Sequence, residues 1–273
     1  MQDSLNKLRA SIASVYMGNA RVVDRIVACL LARGHVLVED VPGVGKTVLA
    51  NALARSIHAD FARIQCTPDL LPTDITGAAV LNRQRDDFEF RKGPIFANIV
   101  LADEVNRTTP RTQSAMLEAM SEGQVSAEGA MHPLPDPFMV IATQNPYEFE
   151  GTYFLPENQL DRFLMRINLG YPAPDDEVRI LDVQPARTTL KALDPVLTRE
   201  EVLALQAATD AVRLDRSLAD YIIALATATR EDGDLRVGLS PRGSLAIAQA
   251  ARATAVLAGR DHCIPEDVVE NVL

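Results

Sequence analysis

The stretch His35-Val36-Leu37-Val38-Glu39-Asp40-Val41-Pro42-Gly43-Val44-Gly45-Lys46-Thr47 joins a short apolar run to a turn punctuated by proline and glycine, and ends in Lys-Thr. Val36 to Val38 has the length of one buried strand, and Val48 to Ile57 reads as a helix. Strand, glycine loop, Gly-Lys-Thr and helix in this order make a phosphate-binding loop. Gly43 and Gly45 let the backbone turn successive N–H groups into one concavity. The helix that starts near Lys46 aims its positive dipole end at the same point. Lys46 then reaches the β- and γ-phosphates of a nucleotide, and the Thr47 hydroxyl holds Mg²⁺. Asp40, Val41, Pro42, Gly43, Val44, Gly45, Lys46, Thr47 and Val48 are the expected nucleotide contacts. Asp40 stands where G-x-x-x-x-G-K-T has its first glycine. An ordinary strand–turn–helix with an incidental Gly-Lys-Thr would carry the same letters, so the rest of the chain has to decide.

The totals narrow the classes. With 273 residues, 47% of them hydrophobic, the chain can bury one large core or two modest ones. Its net charge of −10 disfavours a protein that lives on nucleic-acid phosphates. Cys29, Cys66 and Cys263 are too far apart for a zinc pattern and odd in number for a disulfide set, so they read as buried, reduced thiols. The N-terminus mixes Asp3, Lys7 and Arg9 into its apolar residues, and no run reaches the length of a membrane span. A cytoplasmic location is the expectation. His35, His58, His132 and His262 form no ligand pattern.

Outward from the loop, residues 3 to 33 read as two helices parted near Gly18-Asn19, with Gly34 as the stop of the second. Phe61 to Cys66 alternates as a strand. Residues 76 to 96 and 124 to 136 read as two inserted β-hairpins, the first with Arg83, Gln84, Arg85, Asp86 and Asp87 at its tip. Ile99 to Ala102, Phe138 to Thr143 and Leu164 to Leu169 read as buried strands, and Pro110 opens a helix that ends at Gly123. Gly170 to Asp176 is the one clear linker. Beyond it strand signals nearly vanish and helices dominate, one opened by a capping box between Thr198 and Glu201. The expected division is an α/β nucleotide-binding core over 1–174 and a helical domain over 175–273. The chain stops at Val272-Leu273 in a helical run without cap or polar tail, which leaves room for a further segment of the natural domain.

Three strand ends carry the remaining chemistry. Asp103-Glu104 follows an apolar strand. Asp103 would order Mg²⁺ opposite Thr47, and Glu104 would serve as general base toward an attacking water. Asn145 could orient that water or read the γ-phosphate, although Asn is also a good turn residue before Pro146. Gln65, also at a strand end, is placed to restrain Glu104 until a partner binds, and Arg107 could face an interface.

Gly-Val-Gly-Lys-Thr (43–47), Ala-Asp-Glu-Val-Asn-Arg (102–107), Ala-Thr-Gln-Asn-Pro (142–146), Gly-Thr-Tyr-Phe-Leu-Pro-Glu (151–157), Leu-Asp-Arg-Phe (160–163) and Leu-Ser-Pro-Arg (239–242) occur in this order. Together they resemble the MoxR family of AAA+ ATPases, from about Val15 to the end of the chain. The resemblance implies an αβα core with a small helical lid, assembled as a ring, usually a hexamer, with ATP at the subunit boundaries. It implies Walker A roles for Lys46 and Thr47, Walker B roles for Asp103 and Glu104, and sensor 1 for Asn145. Arg162 matches the arginine finger that acts on the neighbouring subunit's nucleotide, and Arg242 matches sensor 2 of the lid. Met17 and Gly18, within Val15 to Gly18, would lie near the adenine. The hairpins near 79–92 and 124–136 would face the ring pore or a partner. By position alone Arg162 would also serve as a structural pair for Asp161, and Arg242 as an exposed first-turn residue. The family's usual task is chaperone-like maturation, activation or remodelling of a protein complex, often with a partner that carries a von Willebrand factor A domain, and it acts on a protein client. The ATPase motor of a metal chelatase shares much of this architecture, and a nucleotide-regulated scaffold with little turnover is the non-enzymatic alternative. The acidic balance disfavours a DNA-remodelling motor.

Overall fold

In the computed structural model, residues 1–82, 86–127, 129–146, 151–184 and 188–272 are described. Arg83, Gln84 and Arg85 of the first expected hairpin tip, Glu128 of the second hairpin and the terminal Leu273 lie outside the described residues.

The chain begins with α1 (Gln2–Ala13) and α2 (Ala20–Leu31), followed by β1 (Val36–Glu39) and α3 (Lys46–Ser56). Then come β2 (Phe61–Gln65), α4 (Pro72–Thr76), the β3–β4 hairpin (Gly77–Asn82, Asp87–Lys92), β5 (Ile99–Asp103) and α5 (Pro110–Glu122). A second hairpin, β6 (Gln124–Ala127) with β7 (Ala130–Pro133), precedes β8 (Met139–Gln144), α6 (Glu157–Leu160) and β9 (Met165–Ile167). Both inserted hairpins form as expected. The C-terminal region is helical: α7 (Pro174–Val183), α8 (Arg199–Asp210), α9 (Arg216–Glu231), α10 (Pro241–Leu257) and α11 (Pro265–Val272). The linker is shorter than the sequence suggested. Pro174 takes the first helical position of α7, and Asp175 and Asp176 fill its first turn, where they favour the helix dipole.

Among the described residues the central sheet has five parallel strands in the order β2-β5-β8-β1-β9. Its three inner strands, β5, β8 and β1, read as apolar runs because both of their faces are covered. Val36, Val38, Ile99, Leu101, Met139 and Ile141 point into one hydrophobic cluster with α1, α2 and α3. Leu37, Val100, Ala102, Val140 and Ala142 point into the other, under α5 and the hairpins. The first cluster continues into the C-terminal helices through Val202, Leu205, Ala250 and Val256, so those helices share apolar packing with the sheet. Phe90 of the first hairpin stacks on His132 of the second, with ring centroids 4.0 Å apart. The three cysteines are buried free thiols, and burial pushes the Cys66 thiol up to about 12. Among the described residues no helix is long and apolar enough to cross a membrane.

The stop of α2 differs from expectation in detail. The left-handed residue is Arg33, φ 53°, not Gly34. The Gly34 N–H closes the turn on the Cys29 carbonyl at 2.9 Å, and that of Arg33 on Leu30 at 3.1 Å, a Schellman ending. Glycine is needed at 34 for space, since a Cβ there would sit 2.5 Å from Leu164.

His35 joins three elements. Its Nδ1 accepts the Val140 N–H at 3.0 Å, so Nε2 carries the proton and donates to the Met120 carbonyl at 3.0 Å. Burial, with a smaller push from the Arg242 charge, lowers the imidazole from 6.5 to about 4. The unfolded chain therefore takes up a proton near pH 6.5 that the folded chain refuses until near 4. Stability is present above that window and is lost as pH falls through it, about 2 kcal/mol by pH 5. In chemical denaturation, H35Q is expected to be less stable at pH 8 but to lose about 2 kcal/mol less than wild type between pH 8 and 5. Equal losses would show that His35 carries no such linkage.

Candidate nucleotide site

The phosphate loop, Asp103, Glu104 and Asn145 sit at the carboxyl ends of β1, β5 and β8, the edge where open α/β sheets hold ligands. After β1 the chain turns through Gly43 (φ 90°) and Gly45 (φ 94°), which caps α3 in the left-handed region. Those φ values are open to glycine at no steric cost. Lys46 opens α3, and its ammonium donates to the Asp40 carbonyl at 2.7 Å, folding the side chain back over the loop. Burial lowers the Lys46 ammonium from its usual value, while Asp103, Asp40 and Glu104 pull it back up.

Asp40 accounts for the departure from the glycine pattern. Its Oδ1 accepts the Val41 N–H at 2.8 Å, and its Oδ2 accepts those of Leu169 at 2.8 Å and Gly170 at 2.7 Å. The carboxylate thus ties the phosphate loop to the chain leaving β9, a tie that a glycine could not make.

At the end of β5, Glu104 adopts φ 58°, ψ 51°, an uncommon backbone for a residue with a side chain. Its N–H is held by Thr143 Oγ1 at 2.9 Å, and the same hydroxyl donates to Asp103 Oδ1 at 2.7 Å. Gln65 Nε2 donates to Glu104 Oε2 at 3.2 Å, the contact expected of it, and Arg107 reaches the same oxygen at 3.1 Å. Arg107 thus pairs with Glu104 of its own chain. Asn145 follows β8, whose Gln144 pairs in register with Glu39. The donors fit Mg²⁺: the Thr47 hydroxyl and the Asp103 carboxylate are hard oxygens, and Mg²⁺ takes the rest of its shell from water and phosphate.

Beside the loop, an apolar cavity of about 450 Å³ is lined by Val15, Tyr16, Met17, Gly43, Val44, Gly45, Val48, Pro172, Ile180, Leu181 and Gln184. Gly18 is not among these residues. It makes room for the Tyr16 ring, whose Cζ would lie 2.6 Å from a Cβ at that position. Burial, and the Asp40 charge after it, push the Tyr16 hydroxyl up to about 12.

Residues 35–165 match the profile of the ATPase family associated with various cellular activities (AAA), and residues 227–273 match an AAA lid domain. "Chaperone MoxR1" of Mycobacterium tuberculosis is 42% identical, over 98% of this chain and 73% of its own length. The uncharacterized protein YeaC of Bacillus subtilis is 50% identical, over 97% of this chain and 82% of its own. A crystal structure of a Cytophaga hutchinsonii protein assigned as an ATPase superposes with a TM-score of 0.91 at 37% identity, covering 98% of this chain and 84% of that one. The chain belongs to the MoxR family of AAA+ ATPases.

In this MoxR-family chain the two arginines singled out by sequence lie together, away from the phosphate loop. Arg162 and Arg242 line one cavity of about 290 Å³ with His35 and Ser121, and no residue of 40–48 borders it. Arg162 Nη1 donates to the Leu117 carbonyl at 3.0 Å and to Ser121 Oγ. Asp161 instead accepts from Ser240 Oγ at 2.7 Å, and Ser240 caps α10, the helix that carries Arg242. That bond fixes the lid helix beside Arg162. Sequence reasoning missed Arg63, which reaches Asp103, and the α7 residues at the apolar cavity. Strand alternation puts Arg63 on the same side of β2 as Gln65 and could have pointed to it. Nothing in the sequence ties α7 to the loop, because the two meet only in the tertiary fold.

The Asp40 tie gives a counterintuitive expectation. D40G restores the literal glycine pattern but removes three charge-assisted bonds, so it should destabilise the protein by about 2 kcal/mol or more and weaken nucleotide binding. Unchanged denaturation and binding curves would show that the tie is dispensable.

Proposed function

We propose that this chain is the subunit of an ATP-hydrolysing ring, a hexamer in the cytoplasm, whose active sites are completed across subunit boundaries. The observation that carries the reading is the separation of Arg162 and Arg242 from the phosphate loop of their own chain. Within one subunit Lys46, Asp103, Glu104 and Asn145 meet at one sheet edge, while the two arginines share a different cavity. A neighbour stacked head to tail would bring its arginine pair to that edge. The core ends and the lid begins near residue 174.

Each residue then has a task. The Gly43–Gly45 backbone and Lys46 cradle the phosphates, and Lys46 must leave the Asp40 carbonyl to do so. Glu104, freed from Gln65 and Arg107, takes the proton of the attacking water. Asn145 holds that water in line. Thr47 and Asp103 would hold Mg²⁺, which when bound neutralises charge on the phosphate oxygens. Val15, Tyr16, Met17, Val48 and Leu181 offer an apolar slot for the base. Arg162 and Arg242 of one subunit stabilise charge that develops in the next subunit's site. A trans-acting arginine is worth about 10³–10⁵ in rate in related phosphoryl transfers, or about 4–7 kcal/mol.

The work done with this hydrolysis is chaperone-like: remodelling or maturation of a protein complex, with a von Willebrand factor A domain protein as partner. The hairpin pair joined at Phe90 and His132, with exposed Phe88 and Met131, is the face offered to a protein client.

The trans reading is tested by ATPase rate against protein concentration. Rate per subunit should rise with assembly, and E104Q and R162A should each bind ATP without turnover. Mixing the two variants should restore activity, because some boundaries pair an intact Glu104 with an intact Arg162. A rate independent of concentration, with no recovery on mixing, would place both groups in one subunit.

A further inference from the structure

Asp103 already has a cation. Arg63 projects from β2, an edge strand of the sheet, and its Nη2 lies 2.5 Å from Asp103 Oδ2. The same nitrogen donates to Gln65 Oε1 at 2.8 Å. The pairing follows from register: Arg63 sits opposite Leu101 and Gln65 opposite Asp103, so the guanidinium reaches diagonally along the strand face. The other Asp103 oxygen is taken by the Thr143 hydroxyl. Both oxygens of the carboxylate are therefore engaged, one of them by a full positive charge. The Asp103 side chain is only 15% exposed, where a neighbouring charge is weakly screened, while that of Arg63 is 47% exposed and can swing outward.

We propose that Arg63 is a positioning residue that competes with Mg²⁺ for Asp103 and so sets the divalent-cation requirement of the nucleotide site. It rests on the reading of Asp103 as a Mg²⁺ residue. In the metal-free site Arg63 neutralises Asp103 and, through Gln65, stays fixed beside Glu104. A divalent cation at Asp103 must work against that guanidinium, whether it displaces the side chain or is repelled by it. Removal of the positive charge therefore lowers the Mg²⁺ concentration needed, in either case. Gln65 anchors the guanidinium in place, which gives its contact with Glu104 a second purpose: the two Walker B acids are held by one connected pair of side chains.

The experiment follows the binding of a fluorescent N-methylanthraniloyl ATP to the full chain as Mg²⁺ is titrated, with Mn²⁺ binding followed separately by electron paramagnetic resonance. For R63A the half-saturating Mg²⁺ concentration should fall about tenfold, and the Mn²⁺ signal should show tighter binding. R63Q, which keeps a hydrogen-bonding side chain without the charge, should shift the same way and stands in if R63A folds poorly. R63K should stay near wild type, since an ammonium retains the competing charge. An unchanged or raised midpoint in R63A and R63Q overturns the proposal and leaves Arg63 as a structural ion pair. Wild type that binds no nucleotide, with or without Mg²⁺, overturns the site reading and the proposal with it. Nucleotide bound normally with a midpoint insensitive to residue 63 overturns the proposal alone.

Discussion

The register of β1 against β8, and of β8 against β5, is the constraint on which the site depends. Val36 lies opposite Ile141, and Ile141 opposite Leu101, so the three strands finish level. The loop after β1, the acids ending β5 and Asn145 after β8 then share one edge. A slip of one residue would turn every strand side chain to the opposite face. The two buried clusters forbid this, because alternate residues of the same strands feed different cores. Apolar packing on both faces of the sheet therefore places polar groups that take no part in it.

The polar groups are held by strain and by charge. Glu104 occupies a left-handed backbone that costs about 1–2 kcal/mol, and the Thr143 hydroxyl secures it by accepting its N–H and donating to Asp103. Arg63, Gln65 and Arg107 surround the two acids with donors and opposing charges, and the Lys46 ammonium is held on the Asp40 carbonyl. The result is a compensated network in which Lys46, Asp103 and Glu104 each have a partner within the chain. Asp40 stands apart, with its carboxylate committed to backbone N–H groups on both sides of the fold.

The C-terminal helices contribute at two separate cavities. α7 closes one side of the apolar cavity beside the phosphate loop. The start of α10 is tied to Asp161 and brings Arg242 next to Arg162. α7 thus borders the apolar cavity beside the phosphate loop, while α10 brings Arg242 to Arg162.

Much of this was legible from sequence. The phosphate loop, the five strands of the sheet, both hairpins and the helical C-terminal region follow from local patterns: glycines where φ is positive, apolar or alternating runs of strand length, and the Thr198–Glu201 capping box, which forms as expected. The purpose of Asp40, the Arg63–Asp103 pair, the neutral state of His35 and the α7 wall of the cavity were not legible. Asp40 binds residues 169 and 170, Arg63 binds residue 103, and His35 binds residues 120 and 140. By itself the sequence determined which elements form and which residue types stand at their ends, because those are set within a few residues of chain. Only the tertiary structure decided which charges meet, because an ion pair or a buried hydrogen bond depends on separations in space that neither helical nor strand periodicity encodes.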